Sequence, residues 1–152
     1  MLIFLYGPDS YRRIQKLNQI VEAYRTKHSS LSHERFDLSD DKEFEKFQNF
    51  AANQSIFNPV RLAILENALE TSKQKELKAI LKTHLEDKGL VALVSSDKKP
   101  PATFSTLLKP PSQIQEFPAL KGTEIAGLIN KTSKKLGVSL DASTKKALIQ
   151  TF

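Results

Sequence analysis

The sequence lacks several residues and runs that whole classes of function require. It contains no cysteine, which excludes disulfide bonds, thiolate metal sites and cysteine nucleophiles. No apolar run approaches the roughly 20 residues that a membrane-spanning helix needs. The opening run from Met1 to Tyr6 is too short for the apolar part of a secretion signal, and no basic residues precede it. We therefore expect a cytoplasmic chain with no membrane contact.

A phosphate-binding loop is also missing from the place where an α/β fold would carry it. Nucleotide hydrolases have the spacing G-x-x-x-x-G-K-[ST] directly after a strand. Gly7 fits the first glycine, but the last three positions hold Arg12, Arg13 and Ile14. Pro8 removes one backbone N–H donor from the loop. We expect no tight nucleotide binding and no cofactor; the alternative is a degenerate nucleotide-binding enzyme that still uses this loop.

Groups suited to catalysis are equally scarce. No two carboxylates have a spacing that predicts acid–base catalysis. The three histidines, His28, His33 and His84, have no second ligand at metal spacing and are predicted at the surface. Glu66-Asn67, at the end of a predicted strand, only loosely resembles a magnesium-binding pair. We predict no catalytic residue and no metal site, and so a chain that is not an enzyme.

The charges are unevenly distributed along the chain, whose net charge is +6. Residues 1–70 hold 9 Lys and Arg against 10 Asp and Glu, whereas residues 71–152 hold 14 against 7. A basic half is typical of contact with nucleic acid or an acidic protein, and equally of a solvated lysine-rich surface. A second alternative function is therefore a DNA-binding module, with candidate residues Lys131, Lys134, Lys135, Lys145 and Lys146.

Short apolar runs alternate with amphipathic stretches over most of the chain. The predicted strands are residues 2–6, 33–38, 60–65, 90–94 and 112–117. The predicted helices run from 10 to 27 with Ile14 on the apolar face, from a cap at 40 or 41 to 51, and from Ser72 to 85, with a short helix near 104–108. Because each crossover is long enough for a helix, we expect an α/β fold: a five-stranded, mostly parallel sheet with helices on both faces.

The pattern changes after Pro118. Residues 120–136 and 142–151 read as helices, with Gly137 ending the first and Asp141 capping the second. We predict an α/β domain over residues 1–119 and the beginning of a helical domain over residues 120–152. The last helical pattern has no stop signal before Phe152, so we expect the natural chain to continue beyond it.

The segment between the second predicted helix and the third strand carries an adjacent apolar pair, Ile56 and Phe57, among Asn, Gln and Pro residues. Two large neighbours on a loop cannot easily both point inward, and an exposed pair of this kind marks a protein-binding site. The alternative is that both residues close the core at the end of the helix. The residues alone favour this second interpretation slightly.

The order of these features resembles the delta subunit of the bacterial DNA polymerase III clamp loader. The matching segments are LIFLYGPDSY at residues 2–11, RFD at 35–37, SIF at 55–57 followed by RL at 61–62, FPALKG at 117–122 and LGVSLD at 136–141. The resemblance implies an ATPase-like fold of the AAA+ type, with an α/β domain, a helical lid and then a helical collar. It also implies the absence of a working phosphate loop.

The same resemblance implies a function in DNA replication that does not require the chain to hydrolyse ATP. In this family a Leu-Phe pair after the second helix enters a pocket on the ring-shaped sliding clamp (the beta subunit) and helps to open the ring. Ile56 and Phe57 take these places, and Gln54, Ser55 and Asn58 would shape the loop. The family's leading Gln falls on Asn53. Expected partners are the clamp and, for the full-length protein, the other loader subunits, with a weak DNA contact possible.

Overall fold

The computed structural model describes residues 1–54, 56–57 and 59–151. It divides the chain into two compact units, the first ending at Pro118 and the second beginning at Ala119. The first unit consists of β1 (Leu2–Tyr6), α1 (Ser10–Lys27), β2 (Ser32–Asp37), α2 (Asp41–Ala52), β3 (Arg61–Glu66), α3 (Gln74–Thr83), β4 (Leu90–Ser96), a 3-10 turn (Ala102–Phe104) and β5 (Gln113–Glu116). The second consists of α4 (Gly122–Leu136) and α5 (Ala142–Thr151).

The strands of the first unit form one parallel sheet in the order β2-β3-β4-β1-β5. Successive side chains of β1, β3 and β4 point to opposite faces, and both faces are buried. The predicted α/β fold with a five-stranded sheet is therefore confirmed. Within the described residues, no helix is both long enough and apolar enough to cross a membrane.

The two faces of the sheet are covered by different helices. On one face, Leu17 and Val21 of α1 pack against Ile3, Leu5 and their neighbours. On the other face, α2 and α3 cover the sheet with side chains that are almost fully buried: Phe44, Phe47, Ala51, Leu77 and Leu81. Burying a side chain of this size stabilises the fold by about 1.5–3 kcal/mol.

Most helix ends lie where the sequence predicts them. The Asp9, Asp40 and Asp141 carboxylates accept backbone N–H groups in the first turns of α1, α2 and α5. Gly137 ends α4 in the left-handed conformation, with φ of 68°.

Two expectations from the sequence are wrong in detail. The third helix begins at Gln74 rather than at Ser72, because the Lys73 N–H is bonded to the Thr71 side chain and the intervening residues form a turn. Ile14 is 53% exposed, since α1 meets the sheet through Leu17 and Val21 farther along the helix.

The fifth strand falls where the sequence predicts it but lies at the surface: all residues of β5 are exposed, and Ile114 is 46% exposed. The reason is its position: β5 is the last strand in the sheet and pairs with β1 alone.

Gly7 follows β1 at a point where the backbone passes very close to another segment. Its φ is +125°, and a Cβ atom added there would lie 2.3 Å from the Phe117 carbonyl oxygen. No other residue type fits this combination of backbone angle and close approach.

We predict that Gly7→Ala lowers the free energy of unfolding by at least about 2 kcal/mol, because it adds both backbone strain and a steric clash. Urea unfolding followed by circular dichroism measures the change. Gly127→Ala is the comparison variant, since Gly127 lies within α4 and a Cβ there meets nothing within 4 Å. A Gly7→Ala protein as stable as the wild type would contradict the close approach.

Candidate functional site

The loop between α2 and β3 presents two large apolar side chains to solvent. Ile56 is 90% exposed and Phe57 is 79% exposed. Gln54 is exposed too, whereas Ser55 and Asn58, predicted to shape the same loop, lie outside the described residues. The interpretation in which Ile56 and Phe57 close the core at the end of α2 is thus excluded by their positions.

The helix before the loop is held firmly against the sheet. The Phe36 ring of β2 has its centroid 5.7 Å from that of Phe47 and 5.4 Å from that of Phe50. Phe44 and Phe47 are fully buried, and their ring centroids are 6.3 Å apart. Aromatic contacts at these separations stabilise the packing beyond the area that they bury. The last turn of α2 therefore has a defined position from which the loop starts.

A buried arginine holds the end of that helix. Arg61, the first residue of β3, is only 4% exposed. Its Nη1 donates to the carbonyl oxygens of Phe50, Ala51 and Asn53, at 3.1 Å for Ala51. The last carbonyls of a helix have no partner within the helix. Here a side chain from beyond the loop supplies their donors.

The other end of the loop is held by backbone contacts. The Ser32 N–H donates to the Val60 carbonyl at 3.3 Å, and the Arg61 N–H donates to the Gly89 carbonyl at 2.8 Å. The Pro59 carbonyl approaches Gly89 so closely that a Cβ atom there would lie 3.1 Å away. The loop therefore leaves and rejoins the fold at two constrained points.

The turn that contacts Pro59 contains an ionised carboxylate, Asp87. Burial alone would raise the pKa of Asp87, but hydrogen bonds from the His84 ring and the Gly89 N–H, with the nearby charges of His84 and Arg61, hold it below its usual value. His84, predicted as a surface residue, is in fact part of this partly buried pair, with Nδ1 2.9 Å from the Asp87 carboxylate. The negative charge partly compensates the buried Arg61.

A groove of about 400 Å³ runs beside the base of the loop, between α2 and the edge strand β2. Seven residues line it: Ser32, Glu34, Lys46, Asn49, Phe50, Asn53 and Arg61. The groove therefore adjoins both stems of the loop, with Asn53 on one side and Arg61 on the other.

The loop after β1, where a nucleotide hydrolase binds phosphate, is occupied by contacts within the protein. The Gly7 N–H donates to the Ser96 carbonyl, and the Asp9 N–H donates to the Phe117 carbonyl. The Ser10 N–H donates to the Pro8 carbonyl, and the Arg12 N–H donates to the Asp9 carboxylate. The Arg12 side chain donates to the Asp9 carboxylate and to the Pro118 carbonyl, both at 2.7 Å. Arg13 donates to the Gly7 carbonyl and to Ser95 Oγ. These donors are not directed at a site for phosphate.

Polar residues at the ends of β2 and β3 bond to one another. The Asp37 carboxylate accepts hydrogen bonds from the Ser39 hydroxyl, from the Asn67 amide and from the Ser39 N–H. These bonds, named from the largest effect to the smallest, lower the pKa of Asp37. Glu66 pairs with Arg35. Across the parts of the chain that the structure describes, no group of three or more His, Asp or Glu side chains could hold a metal ion.

The lysines predicted as a nucleic-acid surface lie on α4 and α5. Lys131, Lys134, Lys135 and Lys146 are exposed, and Lys145 is partly buried. Lys134 and Lys145 line one groove of the second unit together with Asn130, Ser133, Gly137, Val138, Ser139 and Leu140. The tertiary structure thus brings two of the five lysines to one concave surface.

Comparison with known proteins supports the fold and nothing finer. No protein family profile matches the chain, and no curated protein matches it in sequence. The structure is similar to the Bacillus subtilis DNA clamp loader delta protein, with a TM-score of 0.57 and 17% identity over 98% of this chain and 46% of that one. It is also similar to RuvB of Thermotoga maritima, with a TM-score of 0.58 and 14% identity over 97% and 46% of the two chains.

A third similar structure is Drosophila ORC bound to DNA, with a TM-score of 0.53 and 9% identity over 88% of this chain and 42% of that one. The first unit therefore has a fold of the AAA+ type. The chain spans less than half the length of each of these three proteins.

Sequence reasoning did not identify Arg61 as part of the site. The available signal was a charged residue at the start of an otherwise apolar strand, where a buried position would be expected. Its partners are backbone carbonyls, which every residue carries, so no pattern of residue types could reveal the contact.

Asp9 is the central acceptor of the closed loop, and its protonation should be visible in the stability. Burial raises the pKa of Asp9, but hydrogen bonds from the Arg12 N–H and side chain, with the charges of Arg12 and Arg13, outweigh burial and lower it. A lowered pKa means that the carboxylate stabilises the fold at neutral pH, and that this stabilisation is lost as the pH falls below about 4.

We predict that Asp9→Ala costs about 1 kcal/mol at pH 7, because the helix loses its N-cap acceptor as well as the charge. Asp9→Asn keeps an acceptor at the cap and should cost less. Urea unfolding at pH 7 and pH 3 tests the charge: the gap in the free energy of unfolding between wild type and Asp9→Asn should be smaller at pH 3 than at pH 7. A gap that is the same at both pH values would show that the ion pair does not stabilise the fold.

Proposed function

We propose that this chain is part of a clamp-loader subunit of the delta type, which binds a DNA sliding clamp through Ile56 and Phe57 and opens it without hydrolysing ATP. The observation that carries the proposal is the exposure of this pair, 90% and 79%, on a loop held at both ends. The B. subtilis protein of similar fold is a clamp loader delta protein, and the residues at 55–57 and 61–62 resemble that family.

The physical case for partner binding rests on the energy that the pair can contribute. Both side chains are in water in this structure, so transferring them to an apolar pocket releases most of their hydration. Apolar anchors that fill such pockets cost about 2 kcal/mol or more when truncated, a factor of about 30 in Kd. A loop with constrained ends loses less conformational entropy on binding than an unconstrained one.

The closed loop at Gly7 supports a role that does not depend on ATP. Its backbone donors and both arginines are engaged with the protein itself. The proposed mechanism is therefore mechanical: the pair enters the clamp, and the binding energy is available to distort the ring at its interface. On this proposal the chain contributes binding energy and geometry, and no residue acts on a reacting bond.

We predict that Ile56→Ala/Phe57→Ala weakens binding to the clamp from the same source by at least about 30-fold. Surface plasmon resonance with immobilised clamp measures the affinity, and a melting curve checks the fold. Because both residues are exposed, the melting temperature should stay within the error of the wild type.

Ile14→Ala is the matched control, since Ile14 is also an exposed isoleucine of the same unit. It should bind the clamp as the wild type does. Failure of the wild-type chain to bind the clamp would overturn the proposal. Equal loss with both variants would mean that binding is unspecific adhesion of apolar surface.

ATP should not stabilise this protein. A ligand that binds only the folded state raises the free energy of unfolding by about 2.7 kcal/mol when its concentration is 100 times its Kd. We predict no change in melting temperature with millimolar ATP and magnesium, because the donors of the loop at Gly7 are occupied. A clear rise would support the alternative of a degenerate nucleotide-binding enzyme.

The lysine-rich second unit favours DNA contact as a second candidate function. Lys134 and Lys145 line one groove and three further lysines of α4 and α5 are exposed. Binding through such residues releases counterions, so its affinity should fall steeply with salt. Fluorescence anisotropy with duplex DNA at increasing salt tests this, with Lys134→Gln/Lys145→Gln as the variant. Weak DNA binding is compatible with clamp binding.

A further inference from the structure

The helix that leads into the Ile56–Phe57 loop has no stop signal within its own last turn. α2 ends at Ala52, and its cap residue Asn53 is extended, with φ of −83° and ψ of 114°. Its last turn contains no basic residue, and no glycine follows it in the left-handed conformation that usually bonds the final carbonyls. These carbonyls receive their donor from Arg61, at the far side of the loop.

A buried guanidinium in this place has specific compensation. Removing a charge from water is costly unless it is paired or hydrogen-bonded. Here the positive charge meets the negative end of the α2 dipole, and the Asp87 carboxylate lies within range of the same charge. The arginine is therefore matched to the helix end, and an apolar residue of equal volume would leave the carbonyls without a donor.

We propose that Arg61 is the positioning residue of the Ile56–Phe57 loop. By holding the last carbonyls of α2 to the start of β3, it fixes the distance between the two ends of the loop and the orientation in which the pair is presented to a partner. The identity of the partner rests on the proposed function. The role of Arg61 in fixing the ends of the loop does not depend on the identity of the partner, and it is tested separately.

The contacts distinguish this role from general support of the sheet. The Arg61 side-chain hydrogen bonds that hold α2 go to residues 50–53, whereas its backbone N–H pairs with Gly89 and its strand continues into fully buried residues such as Leu62. Loss of the guanidinium should therefore release the start of the loop while β3 stays in register between β2 and β4.

Loss of pre-organisation has a calculable effect on affinity. When only a fraction of molecules holds the binding conformation, the apparent Kd rises by the inverse of that fraction. If the released loop adopts the bound conformation in about one molecule in ten, the Kd rises about tenfold. The change should appear mainly as slower association, since the contacts within the formed complex are the same.

The experiment compares the wild-type chain with Arg61→Met and Arg61→Lys. Met keeps much of the volume without a donor, and Lys keeps a charged nitrogen with three N–H groups, matching the three carbonyls that Nη1 contacts. In clamp binding by surface plasmon resonance, we expect Met to weaken affinity about tenfold through association and Lys to recover most of it. Arg35→Met, at an exposed ion pair, is the control and should bind as wild type.

A double-mutant cycle links the effect to the pair. Adding Arg61→Met to Ile56→Ala/Phe57→Ala should change the residual affinity little, because the loop then has nothing to position. Arg61→Met that is folded and binds like the wild type, or that weakens binding equally with and without the pair, would overturn the proposal.

Hydrogen exchange provides the reading that does not need the clamp. In Arg61→Met, amides of residues 50–60 should exchange faster, while those of β1 and β4 keep the wild-type rate; unchanged exchange at 50–60 overturns the proposal. If wild type does not bind the clamp, the proposed function fails, and this measurement still decides the role of Arg61.

Should Arg61→Met not fold, Arg61→Gln, which keeps an amide donor and no charge, takes its place in both measurements.

Discussion

A buried guanidinium joins the end of α2 to the start of β3, and the presentation of the candidate site depends on this contact. Arg61 supplies donors to carbonyls on one side of the loop, while its own backbone belongs to the sheet on the other. The two stems of the loop are thus held at a set separation by one residue. Between them the chain can expose Ile56 and Phe57 at little cost, because neither is needed to complete the core.

The same chemistry recurs at the loop after β1, with a different consequence. There Arg12 and Arg13 donate to carbonyls and to side-chain oxygens around Gly7, in the position where a nucleotide hydrolase directs its donors at phosphate. The donors of this loop are therefore engaged within the protein itself. In both loops, arginine side chains donate to backbone carbonyls of neighbouring segments.

The fold could be predicted from sequence wherever a pattern repeats. Both faces of β1, β3 and β4 are apolar, and the period of α1 and α2 is regular, so the parallel sheet follows from residue types alone. Ile14 was placed wrongly because its exposure depends on which part of α1 meets the sheet. Ser72 was placed wrongly as a helix start because the Lys73 N–H donates to the Thr71 hydroxyl oxygen, and this local bond competes with the first turn of the helix.

By itself, the sequence determined the order of strands and helices along the chain and the absence of the residues of a phosphate loop, and it narrowed the first two helix caps to neighbouring residues, since each of these depends on neighbours within a few positions. It also located the apolar pair, but not its exposure. Only the tertiary structure decided that Ile56 and Phe57 stand in solvent and that Arg61 holds the loop. The physical reason is that burial and hydrogen bonds to backbone carbonyls depend on segments brought together by folding. Every residue carries a carbonyl, so the residue types do not indicate which carbonyl accepts a hydrogen bond.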